Sequence, residues 1–195
     1  MPRNATLEDL AQTLMEQQGR KVDIVAPATQ LHSRNGLLVV KGADAILDAD
    51  GVTPADGIYQ PTRVFDEGVA EKLGIPLAYL RRTRETRPDL YDANVNGWLH
   101  GADGELPDGR SFLVRAFKGD PGVARAFLSD RYSVIDNLDV LTATLDGVRQ
   151  AGVDVSIDGC DLTDRRMYVR IIAPEVKVMA ERLLKDYRNP FGSRF

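Results

Sequence analysis

The dipeptide Asn35-Gly36 is the tightest local constraint in this chain. Both residues tolerate positive φ, which the two-residue turn of a β-hairpin demands. Gln30 to His32 before it and Leu37 to Val40 after it read as strands, so a hairpin is predicted near residues 29–41. A hairpin needs partners for its apolar face, and the sequence offers two more. Ser111 to Phe117 alternates, with Phe112, Val114 and Ala116 on one face; the chain turns over Gly119 to Gly122, and Ala124 to Leu128 returns. Val153 to Ile157 and Met167 to Ala173 form the third pair, with a turn predicted at Asp158-Gly159 and a loop over Asp161 to Asp164. Val22 to Ala26 is also extended, and Pro27 marks a bend or an edge.

Helices fill the intervals. Thr6 is an N-cap with Asp9 in the place of a capping-box acid, and Leu7, Leu10, Ala11, Leu14 and Met15 follow helical spacing up to Gly19. Asp66 to Leu73 reads as a short helix closed by Gly74. Pro76 opens the next, with Leu77, Leu80 and Tyr79 inward, and Pro88 opens a third with Leu90, Tyr91, Val95, Trp98 and Leu99 as its apolar set. Pro174 begins a final helix that stops before Pro190. The segment 42–63 is rich in Gly, Asp, Pro and Thr, with turns at Asp50-Gly51 and Asp56-Gly57, and reads as an internal loop. The fold class is therefore α+β: antiparallel β-hairpins forming a sheet covered by helices on one face. Residues 1–195 read as one domain, with 189–195 as a C-terminal tail carrying Phe191 and Phe195.

The stretch Ala124 to Gly152 joins the second hairpin to a helix. Strand residues pass through the polar turn Ser129 to Tyr132 into a helix capped by Ser133 or Asp136, with Leu138, Leu141, Leu145 and Val148 on one face. Phe127 and Ile135 are expected to be buried there, and Asp130 and Arg131 to be hydrogen-bonded.

Enzyme signatures are missing. The sequence contains no phosphate loop, no dinucleotide-binding glycine fingerprint and no nucleophile elbow. His32, His100 and Cys160 lack the paired spacing of a zinc site, and Asp48-Ala-Asp50-Gly51 puts its glycine too early for a calcium loop. No metal or cofactor is expected. One cysteine cannot close an internal disulfide, no apolar run is long enough to span a membrane, and no signal peptide is legible, so a cytoplasmic location is expected.

Charge supplies the remaining signal. The net charge is -4, yet residues 165–195 carry eight basic side chains against three acidic ones. An acidic body with a basic end can meet an anionic partner at that end, or simply hold a solvated helix face. Arg81, Arg82, Arg84 and Arg87 crowd one helix, with Tyr91 and Trp98 nearby. Guanidinium groups beside aromatics can hold phosphates and stack bases; alternatively the aromatics are core and the arginines solvated. Arg131 with Tyr132, and Arg165, Arg166 and Arg170, complete the candidate contacts.

Three blocks give the chain a resemblance: Phe112-Leu-Val-Arg115, Ala126-Phe-Leu-Ser-Asp-Arg-Tyr132 and Asp136-Asn-Leu-Asp-Val-Leu141. With Ala70-Glu-Lys-Leu-Gly-Ile-Pro-Leu-Ala-Tyr-Leu80 and Asp92-Ala-Asn-Val-Asn-Gly-Trp98, it resembles a phage- and plasmid-borne family of unknown function, of actinobacterial phage type, over residues 65–173. Members run on past the position of Arg188, which implies a C-terminal portion beyond Phe195. The family's setting among replication and recombination genes implies nucleic-acid work in a host cytoplasm. A remoter analogy of element order links it to single-strand annealing proteins of the Erf, Red-beta and RecT kinds. The function expected is non-enzymatic binding or annealing of single-stranded nucleic acid, by a chain that forms homo-oligomers. The alternative is a protein-interaction module, self-assembling or host-directed, using hairpin edges and the apolar tail.

Overall fold

The computed structural model describes residues 4–48, 51–101 and 109–174. The chain divides into two compact units, one of Gln17–Val134 and one of Met1–Glu16 with Ile135–Phe195. Apart from its first residue, the helix predicted from Pro174 lies outside the described residues. So do Phe191 and Phe195, Asp50, and most of the turn predicted over 101–109.

The larger unit is built on a six-stranded sheet. Its strands are β1 (Lys21–Pro27), β2 (Leu31–Arg34), β3 (Leu37–Val40), β6 (Gly57–Pro61), β7 (Ser111–Phe117) and β8 (Gly122–Ser129), in the order β1-β7-β8-β6-β3-β2. All pairs are antiparallel except β6 with β8. The Asn35-Gly36 turn forms as expected, with φ of 59° and 72°, the left-handed pair of a tight hairpin. A small hairpin of β4 (Ile46–Asp48) and β5 (Gly51–Thr53) stands apart from this sheet. The segment 42–63 is therefore not a continuous loop. Tyr59 and Pro61 alternate inward in β6, and the strand fills the gap between β3 and β8 despite its Gly and Pro.

One sheet face is apolar and covered. Cross-strand rows run Val22, Ala116, Ala124 and then Ile24, Val114, Phe127, all buried. Helices α2 (Arg63–Leu73), α3 (Leu77–Thr86) and α4 (Pro88–His100) supply the opposing layer through Phe65, Val69, Leu80, Tyr91, Val95 and Leu99. Phe127 is its centre, stacked on Phe112 at 4.5 Å and edge-on to Phe65 at 5.6 Å. Alternation along β1 leaves Val25 60% exposed on the far side, as one-sided covering requires.

Helix α2 starts three residues earlier than its periodicity suggested, because Thr62 is the cap. Its Oγ1 accepts from Phe65 N at 3.2 Å and donates to Arg125 O at 3.0 Å, while Thr62 N donates to Ala124 O at 2.9 Å. The cap thus pins the helix start to β8. Six residues on, Gly68 lets the helix backbone meet the strand. A Cβ there would lie 2.2 Å from Phe127 O.

The smaller unit packs α1 (Leu7–Arg20), as far as Glu16, and α5 (Asn137–Ala151) with a hairpin of β9 (Ser156–Leu162) and β10 (Met167–Ile172). The capping box is reciprocal: Asp9 N donates to Thr6 Oγ1 and Thr6 N to Asp9 Oδ2, each at 3.1 Å. Leu10, Leu14, Leu141 and Cys160 form the buried core, joined by Ile157, Leu162, Met167 and Val169 on the inner hairpin face. Burial pushes the Cys160 thiol above its ordinary value, as suits a packing residue rather than a nucleophile. Ala5 pairs with Cys160 through two backbone bonds of 2.9 Å, adding a short bridge to β9. The turn predicted at Asp158-Gly159 lies inside β9. Thr163 makes the real turn, its Oγ1 accepting from Arg165 N and Arg166 N. Ile135, expected inside, is 68% exposed, in a segment between Tyr132 and α5 that joins neither a helix nor a strand.

Gly68→Ala is expected to destabilise the fold by several kcal/mol, since its Cβ meets backbone that cannot swing aside. Gly97→Ala, on α4 with nothing within 4 Å of the added atom, is the control and is expected to stabilise by up to about 1 kcal/mol. Urea midpoints of the two variants check both.

Candidate nucleic-acid interface

The arginines of α3 do not form a row on the surface. Arg84 is 16% exposed, and its Nη2 lies 2.8 Å from Oδ2 of Asp66, which is fully buried on α2. Its Nη1 donates to Pro61 O at 2.9 Å at the end of β6, and its aliphatic stem crosses Gly36 in the hairpin turn. Arg81 Nη2 donates to Glu67 Oε1 at 2.7 Å and to Arg63 O at 3.0 Å, with Nε 4.0 Å from Asp66. Helical spacing explains this: residues 81 and 84 share a face, and that face meets α2. Arg87 is forked onto Asp89 in solvent, and Arg82 is exposed. Tyr91 is 2% exposed, so its ring is core and offers no face to a base.

Asp66 is the outlier of this cluster. Neither of its oxygens accepts a well-directed hydrogen bond from a protein donor. Burial raises its carboxyl to about 6, against the pull of Arg84 and Arg81 and with the push of Glu67 and Glu85. The core of the same unit holds a cavity of about 10 Å³ lined in part by Phe65, Val69, Tyr91 and Phe127, room for one water at most and apolar. Burial this complete suits a strut between helices and gives a substrate no access.

Exposed aromatics lie elsewhere. Trp98 is 55% exposed on α4, in a stripe with Leu90 and with Tyr79 of α3, whose hydroxyl accepts from Asn94 Nδ2 at 3.2 Å. Tyr132 is 53% exposed beside Arg131 at the end of β8. The Ser129 to Tyr132 turn is closed locally: Arg131 N donates to Ser129 Oγ and Tyr132 N to Ser129 O. Ser129 Oγ in turn donates to Asp130. No ion pair involves Arg131 among the described residues.

In the smaller unit, alternation along β10 sends Tyr168 and Arg170 to the outer face, and Arg166 is exposed just before the strand. Arg170 is tied down: Asp161 at 3.2 Å, Asp158 at 3.4 Å and Asn4 Oδ1 surround its guanidinium, which lies across Gly159. It anchors the N-terminal segment to the hairpin. Arg166 instead donates to the Tyr168 hydroxyl at 3.1 Å, and this bond raises its already high pKa. Arg165 and Arg166 are exposed in the turn, and Tyr168 is 46% exposed beside them. Tyr168 escaped the sequence reading, although its period-two position between two arginines was the available signal.

No protein-family model, curated protein or solved structure matches the chain. Among the described residues no helix is long and apolar enough to cross a membrane.

The Asp66 geometry fixes a pH effect. Its ordinary value is 3.8, and in the fold it is about 6. Between those values the folded chain holds a proton that the unfolded chain has lost, so this group's contribution to stability falls as pH rises from about 4 to about 6, then levels. The span is about 3 kcal/mol at most. Asp66→Asn is expected to remove it: urea midpoints at pH 4 and pH 7 should show the wild type gaining on the variant at the lower pH.

Proposed function

We propose that this chain binds single-stranded nucleic acid without covalent chemistry, through the turn end of the β9–β10 hairpin. The observation that carries the reading is the exposed trio of Arg165, Arg166 and Tyr168. Two guanidinium groups meet phosphates, and the phenol ring stacks on a base. A single strand is favoured because stacking needs a base with its face free. Arg170 positions the strand rather than the ligand. Arg82, Trp98, Arg131 and Tyr132 stay available on the larger unit as further contacts, whereas Arg81, Arg84 and Tyr91 are spent inside it. The resemblance to phage- and plasmid-borne proteins supports the same reading by setting.

A second reading has its own observation. The exposed stripe of Tyr79, Leu90 and Trp98 suits a protein partner or a second copy better than a phosphate backbone.

Fluorescence anisotropy of a labelled oligodeoxythymidine separates them. Binding is expected at 50 mM salt and is expected to weaken steeply by 200 mM. Arg165→Ala and Arg166→Ala should each reduce the salt slope by about one. Tyr168→Ala should cost about 1–3 kcal/mol at every salt concentration. No binding at low salt sinks the proposal. Loss of self-association in Trp98→Ala, read by light scattering, would favour the second reading.

A further inference from the structure

Helix α4 lays a polar stripe along the free edge of β2. Asp92, Asn96 and His100 recur at four-residue spacing on one helix face. Asp92 accepts from Ser33 Oγ at 2.6 Å and from the amides of Asn35 and Gly36. Asn96 takes both backbone groups of Ser33, N at 2.7 Å and O at 2.8 Å. Among the described residues His100 spends one ring nitrogen, with Nε2 2.9 Å from Leu31 O. A nitrogen facing a carbonyl oxygen must carry the proton, so in the neutral ring Nδ1 keeps its lone pair.

His32 projects from the opposite side of β2 to Leu31 and Ser33, and its ring turns to meet His100. The centroids lie 4.6 Å apart with the planes tilted 59°. His100 therefore has one nitrogen anchored on a backbone group, with Nδ1 unspent among the described residues. Such anchoring is how metal-binding histidines are oriented. The sequence alone gave no reason to join residues 68 positions apart; α4 closing on the β2 edge brings them together.

We propose that His32 and His100 form a two-imidazole site for a divalent transition-metal ion of the zinc or nickel class. Imidazole nitrogens suit those ions. Nitrogen–metal distances of about 2.0–2.1 Å place two ligands about 3.3 Å apart in a tetrahedron, within reach of rings already in contact. Water completes the sphere, since the described residues contain no group of three or more His, Cys, Asp and Glu side chains that could hold a metal ion. Cys160 belongs to the other unit and is buried there. Lys41 acts on His32 as a nearby positive charge and opposes the ion. When bound, the metal staples the edge strand to the last turn of α4.

The test is titration of the full chain with zinc chloride by calorimetry. Nickel quenching of Trp98, the sole tryptophan and two residues from His100, is the local readout. One equivalent is expected to bind. His32→Gln and His100→Gln should each weaken binding at least tenfold, and Lys41→Gln should tighten it. Circular dichroism and melting without metal confirm that the variants remain folded. Absence of binding at millimolar zinc overturns the proposal, as does unchanged affinity in a folded His32→Gln/His100→Gln double variant.

Discussion

The Asp66–Arg84 ion pair is the point on which the larger unit turns. One guanidinium spans α3, the carboxylate of α2, the last carbonyl of β6 and the hairpin turn at Gly36. Three successive elements and one earlier turn converge on a single planar group, which arginine can serve with donors on several sides. The arrangement is costly, because burial raises the carboxyl against two cations. A hydrophobic pair of similar volume would pack there at lower cost. It would not select one rotation of α2 against α3, and that rotation aims Phe65 and Val69 at Phe127.

Strand β2 lies at an edge of the sheet. Strand β2 would expose unpaired amides, but α4 answers them with side chains: a carboxylate at the turn, an amide that copies a strand's donor and acceptor, and an imidazole. This protects the edge without another strand. Thr62 and Gly68 do the corresponding work at the sheet centre, bringing a helix into backbone contact with β8. Helix packing and strand pairing are thus fixed by the same few polar groups.

Most of the secondary structure could be read from local chemistry. The Asn35-Gly36 turn, the Thr6–Asp9 capping box and the Phe112–Ala116 alternation act within a few residues, and the one-sided α+β sheet follows from them. What escaped was settled by distant neighbours. Strand β6 was hidden by Gly57 and Pro61, residues that oppose strands unless partners on both sides hold them. The roles of Arg81 and Arg84 depended on Asp66, whose place within the apolar phase of Phe65, Val69 and Leu73 was the overlooked sign of burial. Ser129 to Tyr132 reads best as a junction, since its polar groups mostly satisfy one another. Tyr168 and the Asp92–Asn96–His100 stripe were legible as spacing, but their targets were not.

The pairing of Ala5 with Cys160 bears on the order in which the chain matures during translation. Gln17–Val134 is contiguous, so that unit can close while its own last residues clear the ribosome. The smaller unit is discontinuous: its opening segment is made first, yet its bridge partner on β9 is made about 155 residues later. At a synthesis rate of about 5–20 residues per second, the apolar face of Leu10 and Leu14 waits roughly 8 to 30 seconds for its cover. The reciprocal cap at Thr6 and Asp9 gives that waiting helix a local means of holding its shape.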